Sequence, residues 1–173
     1  MADREGEKEM RRLIVLVFSL TVLTLSADAQ GPSTASRPFV VKSKQQVSDI
    51  TNEIAAKDGN QQLDVFAAAG TQMRVAVFHD DKRENDLYEV HDGSDDVYYV
   101  LEGEATLMLG GSLVEPNQIS AGEWRAKSAT GGQKVVIKKG DLVVVPRGTP
   151  HQRTVTGKGF SMILIKVFET KQP

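Results

Sequence analysis

The pattern of apolar and polar residues changes character along the chain. Leu13 to Leu25 is an apolar run without a charge. From Ser43 to Lys57 the pattern is helical: Val47, Ile50 and Ile54 recur at the spacing of one helix face. Ser43 can cap this helix, Gln46 completes a capping-box pattern, and Asp58-Gly59-Asn60 stops it. Beyond that point the period becomes two. Met73, Val75 and Val77 alternate with Arg74, Ala76 and Phe78. Further β-rich runs cover 97–101, 105–109, 135–137, 142–145 and 160–168, with Gly and Pro between them at short intervals. Many short strands and almost no helix predict an all-β sandwich or barrel with a short N-terminal helix. The segment 112–132 has the weakest pattern and reads as a long loop with one or two short strands. No repeat of fixed period is present.

The apolar run near the start reads as an address. It is short for a bilayer span, which takes ~20 residues. Arg11-Arg12 precede it, and Ala27-x-Ala29 follows as a small-residue cleavage signal. The expectation is a signal peptide over 1–29, cleaved after Ala29, with a secreted or periplasmic product and no stable membrane anchor after cleavage. Asp3, Glu5, Glu7 and Glu9 are unlike a basic leader, whereas a start at Met10 gives one, so Met10 is the expected start. The Pro/Ser/Gly-rich segment 30–42 reads as a linker or N-terminal arm, 43–59 as the helix, and 60–169 as the barrel.

Composition narrows the chemistry. The chain has 173 residues, a net charge of -2, no cysteine and 3 histidines. Nucleic acid is excluded as an expected partner, because no basic excess is present. Disulfides, a thiolate nucleophile and Cys-ligated metals are excluded outright. A metal would therefore need His and carboxylate ligands. Around His91 the chain reads YEVHDGSDDVYY from Tyr88. Glu89 and His91 share one strand face, and the turn at 92–94 can return Asp95 or Asp96 beside them. His151 follows the Pro146-to-Pro150 turn, which fixes where its strand begins. Two imidazoles and two carboxylates suit a divalent Mn, Fe or Zn ion. His79 reads as a rim or surface residue, Arg74 as solvent-facing or an anion clamp, and Tyr98 as a pocket wall or a packing residue. No Gly-x-Ser-x-Gly element supports a serine nucleophile.

These residues resemble the two motifs of the cupin superfamily. The second motif is matched by Gly140, five residues, Pro146-Arg147-Gly148, two residues and His151. The polar residue that often follows that histidine is replaced by Val155. In the first motif, counting back from Gly103 places Asp96 on the family's Glu, His91 on its second His and Glu89 on its first; Arg83 stands where a Gly usually opens the motif. The resemblance spans roughly residues 60–169. It implies a cupin jelly-roll, a double-stranded β-helix barrel, with metal ligands Glu89, His91, Asp96 and His151.

Three functions follow as expectations. The first is an exported single-domain cupin that binds a divalent metal and acts, in dioxygenase- or isomerase-like fashion, on a small molecule. The second is a non-catalytic small-ligand barrel that has lost its metal, with the same polar residues hydrogen-bonded to one another. The third is an interaction module without a site, a homodimer joined through edge strands.

Overall fold

The computed structural model describes residues 35, 37–157 and 159–173. The chain divides into Met1–Pro38 and Phe39–Pro173. Nearly all of the first unit, including the expected signal peptide, its Ala29 site and the Met10 start, lies outside the described residues.

The second unit begins with the helix α1 (Lys44–Ala55), capped as its sequence implies. The Ser43 hydroxyl accepts from the Gln46 amide at 3.2 Å, and the Gln46 side chain accepts from the Ser43 amide at 2.9 Å. These bonds satisfy donors that a helix start leaves open. Thr51 and Ile54 form the buried face of α1, which packs on β1 (Gln61–Phe66) and β2 (Met73–Asp80).

The remaining strands are β3 (Tyr88–His91), β4 (Ser94–Leu109), β5 (Ser112–Val114), β6 (Asn117–Ser120), β7 (Glu123–Ala126), β8 (Ser128–Thr130), β9 (Gln133–Lys138), β10 (Leu142–Val145), β11 (His151–Thr154) and β12 (Phe160–Phe168). All named pairings are antiparallel, and the main path runs β1-β2-β12-β4-β11-β3-β7-β6. The architecture is an antiparallel jelly-roll with one short helix, as the sequence implies.

One strand organises the whole. The break expected at Glu102-Gly103-Glu104 is absent, and β4 runs unbroken for 16 residues. Its first half pairs with β10 and β12, its second half with β9 and β11. Gly103 makes this possible. It has φ +76°, and a Cβ there would sit 2.2 Å from the Gly159 carbonyl oxygen. A pairing irregularity falls beside it, between Ser161 and Met162. Glycine therefore bends the strand from one sheet into the other instead of ending it.

Two further differences concern weakly patterned segments. β1 is read poorly from QQLDVF because its residues are only half buried. The segment 112–132 holds four short strands, β5 to β8. They are mostly exposed or half-buried, so apolar alternation does not mark them. The core comprises Tyr98, Val100, Ala105, Leu107, Ile137, Val145, Val155, Phe160, Met162 and Leu164. Val155, where cupins often carry a polar residue, is fully buried and forms a bridge with Arg83.

Candidate metal centre

Strand pairing brings the two sequence motifs together. His151 on β11 lies opposite Glu89 on β3, and Val145 on β10 lies opposite Asp96 on β4. Alternation on β3 turns Glu89 and His91 to the same face. The ligand atoms of Glu89, His91 and His151 all fall within 4.8 Å of one another. Both histidines are buried, and Glu89 is half-buried. They open onto a cavity of about 330 Å³.

The hydrogen bonds around each imidazole decide which nitrogen faces inward. His151 Nδ1 donates to the Thr149 carbonyl oxygen at 2.9 Å. His91 Nδ1 donates to Glu123 Oε2 at 2.7 Å. In the neutral ring each Nε2 then carries a lone pair. Burial holds the His151 imidazole below its ordinary pKa and so favours that neutral form. His91 Nε2 lies 3.6 Å from Glu89 Oε2 and 3.6 Å from Asp96 Oδ2, and His151 Nε2 lies 4.0 Å from Asp96 Oδ2. The two imidazole lone pairs thus face carboxylate oxygens with no hydrogen between nitrogen and oxygen. Such a cluster is suited to a bound cation or a shared proton. The donor set of two imidazoles and a carboxylate fits a divalent transition ion.

Asp96 stands differently from the other three. Its Oδ1 lies 2.6 Å from Lys166 Nζ, with both side chains largely buried. The pair is close, but its angles are not those of a hydrogen bond, and Oδ1 has no aligned donor. Tyr98 donates to Oδ2 at 3.3 Å, so it is a wall residue as well as a core residue. Burial, and then the Asp96 charge, push the Tyr98 phenol far above its ordinary pKa and keep it a donor. Asp95 points to the other face, as alternation requires. It accepts from the Arg147 amide at 2.8 Å and from the Arg147 guanidinium at 3.0 Å. The Arg147 hydrogen bonds hold its carboxyl below the usual value.

Two motifs on adjoining strands of one bent jelly-roll settle the fold. The barrel is a jelly-roll, with its two motifs side by side as the cupin resemblance implies. No family model matches the chain, and no curated protein is similar to it. Among solved structures it is similar to the DMSP lyase DddQ from Ruegeria pomeroyi DSS-3, with 15% identity and a TM-score of 0.47, covering 67% of this chain and 50% of that one. It is also similar to KdgF from Halomonas sp., with 18% identity and a TM-score of 0.47, covering 66% and 84%. A recombinant oxalate oxidase in complex with glycolate shows 16% identity and a TM-score of 0.47, covering 68% and 56%. The chain therefore spans half the length of that lyase. These are likenesses of fold.

Several residues of this centre are not singled out by the sequence. Glu123 and Arg125 both lie on β7, in the weakly patterned stretch that reads as a long loop with one or two short strands. Arg125 reaches Glu89 Oε2 and Glu123 Oε2, each at 3.3 Å. Lys166 had a signal: it is the one charged residue in the apolar run 160–168. It shares the inward face of Met162 and Leu164 and lies opposite Asp96 in the β12–β4 register. Arg74 lines the same cavity, paired with Asp64 at 2.6 Å. His79 is buried rather than at the surface. It meets Ser161 Oγ at 2.8 Å and Asp81 Oδ1 at 3.0 Å, beside a separate cavity of about 300 Å³.

Proposed function

We propose that this chain is an exported cupin that holds a divalent metal ion on Glu89, His91 and His151 and acts on a small anionic molecule. The observation that carries the reading is the convergence of Glu89 Oε2 with the inward Nε2 atoms of both histidines, each imidazole held by a bond at its other nitrogen. When bound, the ion supplies Lewis-acid polarisation of an oxygen-bearing ligand. The chain's own groups do the rest. Glu123 and the Thr149 carbonyl fix the rings, and Arg125 orients Glu89.

The preference for an anion follows from charge. Five cationic side chains line the cavity: Arg74, Arg83, Arg125, Arg153 and Lys166. Four carboxylates line it, and two more, Asp64 and Asp80, pair with its arginines. With neutral histidines the cluster is one charge negative, and a divalent ion makes it one positive. A small carboxylate or similar oxyanion then balances the site.

A metal-free barrel is the second reading, favoured by the Lys166–Asp96 and Arg125–Glu89 pairs, which give two carboxylates cationic partners from the chain itself. Elemental analysis separates the two. After reconstitution with Mn, Fe or Zn, the protein is expected to hold about one ion, and the His91→Ala/His151→Ala variant none. Substoichiometric metal in the native sequence overturns the first reading. Export rests on the apolar run and Ala27-x-Ala29, and N-terminal sequencing of the secreted form should begin at Gln30. Oxygen uptake and substrate screens on the loaded protein then distinguish an enzyme from a binding barrel.

A further inference from the structure

We propose that Lys166 is a positioning residue that keeps Asp96 out of the metal's ligand set, so that the ion is held by three side chains instead of four. This rests on the metal-binding reading above. The register of β12 against β4 places Lys166 directly opposite Asp96 on the inward face, as the one charged residue between Phe160 and Phe168. The Lys166 ammonium lies 2.6 Å from Asp96 Oδ1 and 3.3 Å from Ser94 Oγ. Both ionic side chains are nearly sealed, at 13% and 5% exposure. A buried ion pair is hard to open from one side, because losing either partner strands the other charge in a poorly solvated place.

Glu89 and Asp96 therefore differ in kind. Glu89 is half-buried, and its neighbour Arg125 divides its contacts between Glu89 and Glu123. It can turn to an ion at little cost. Asp96 has the largely buried Lys166 ammonium on Oδ1 and the phenol of Tyr98 on Oδ2, the oxygen that lies 3.6 Å from His91 Nε2 and 4.0 Å from His151 Nε2. The three atoms that gather within 4.8 Å come from Glu89, His91 and His151, without Asp96. The consequence is a metal with coordination positions left for an external ligand on the Asp96 side. Lys166 there adds a positive charge that an incoming anion would meet.

The test is a double-mutant cycle read as Zn²⁺ affinity, by competition with a chromophoric chelator. The proteins are the native sequence, Lys166→Met, Asp96→Asn and the double variant. Lys166→Met is expected to bind Zn²⁺ about tenfold tighter or more, because Asp96 becomes free to join the ion; a coupling of that size is ordinary for contacting residues. Asp96→Asn alone is expected to leave affinity nearly unchanged, and the gain from Lys166→Met should vanish in the double variant. If Asp96→Asn weakens binding as much as His151→Ala, Asp96 is already a ligand and the proposal fails. If Lys166→Met tightens binding equally with and without Asp96, the effect is plain charge repulsion and the proposal fails. Lys166→Gln is carried alongside, with circular dichroism, in case the methionine variant does not fold. Zn²⁺ binding by the Lys166 variants alone makes Asp96 a required ligand and overturns the proposal together with the metal-loaded native form. No Zn²⁺ binding by any variant overturns both.

Discussion

At the scale of the residue, the centre depends on what holds the back of each ring. His91 is held by Glu123 and His151 by the Thr149 carbonyl, so only the first can be removed by substitution. Glu123→Ala frees the His91 ring and its tautomer. It is expected to weaken Zn²⁺ binding about 10- to 100-fold, the usual cost of losing such a partner. Isothermal titration of the folded variant measures it. His91 and His151 are legible in the sequence, since the Pro-x-Gly turn and the alternation around His91 are local signals. Glu123, Arg125 and Lys166 are not legible in the same way. Their roles come from residues 32, 36 and 70 positions distant, Glu123 on His91, Arg125 on Glu89 and Lys166 on Asp96, and no local period records a partner across a sheet.

At the scale of the element, the apolar pattern marks β2, β10 and β12 with nearly their observed bounds. It does not mark the bend in β4, because glycine marks a strand end and a strand bend alike. Gly103→Ala is expected to destabilise the barrel by more than about 1 kcal/mol, since the added Cβ meets the Gly159 backbone and φ is positive. Urea denaturation reads this as a lower midpoint at unchanged slope. The turn before His151 is tied to β4 by Asp95 and Arg147. Because this contact lowers the Asp95 pKa, its stabilisation is present above the ordinary value of 3.8. It fades as pH falls through the lower native value. Arg147→Ala should therefore lower the melting temperature near pH 6, and the difference from the native sequence should shrink below pH 4.

At the scale of the whole molecule, a ligand that binds only the folded form stabilises it. At one hundred times its dissociation constant the gain is ~2.7 kcal/mol. For a chain of this size that raises the melting temperature by roughly 5–10 °C. A Zn²⁺ titration followed by calorimetry is expected to show this rise, and the His91→Ala/His151→Ala variant none. The core responds independently of the metal. Phe160→Ala removes a fully buried ring and should cost about 3–5 kcal/mol with or without Zn²⁺.

The bent strand β4 also sets the order in which the barrel can be made. Its residues are complete at Leu109, yet all its partners, β9 to β12, lie between Gln133 and Phe168. A ribosome that has added 159 residues has still not supplied the strand that carries Lys166. Sheet closure must then wait until Phe168 has been added, and pairing over such separations is slow. A nascent chain halted before Phe160 should stay open to protease along its length.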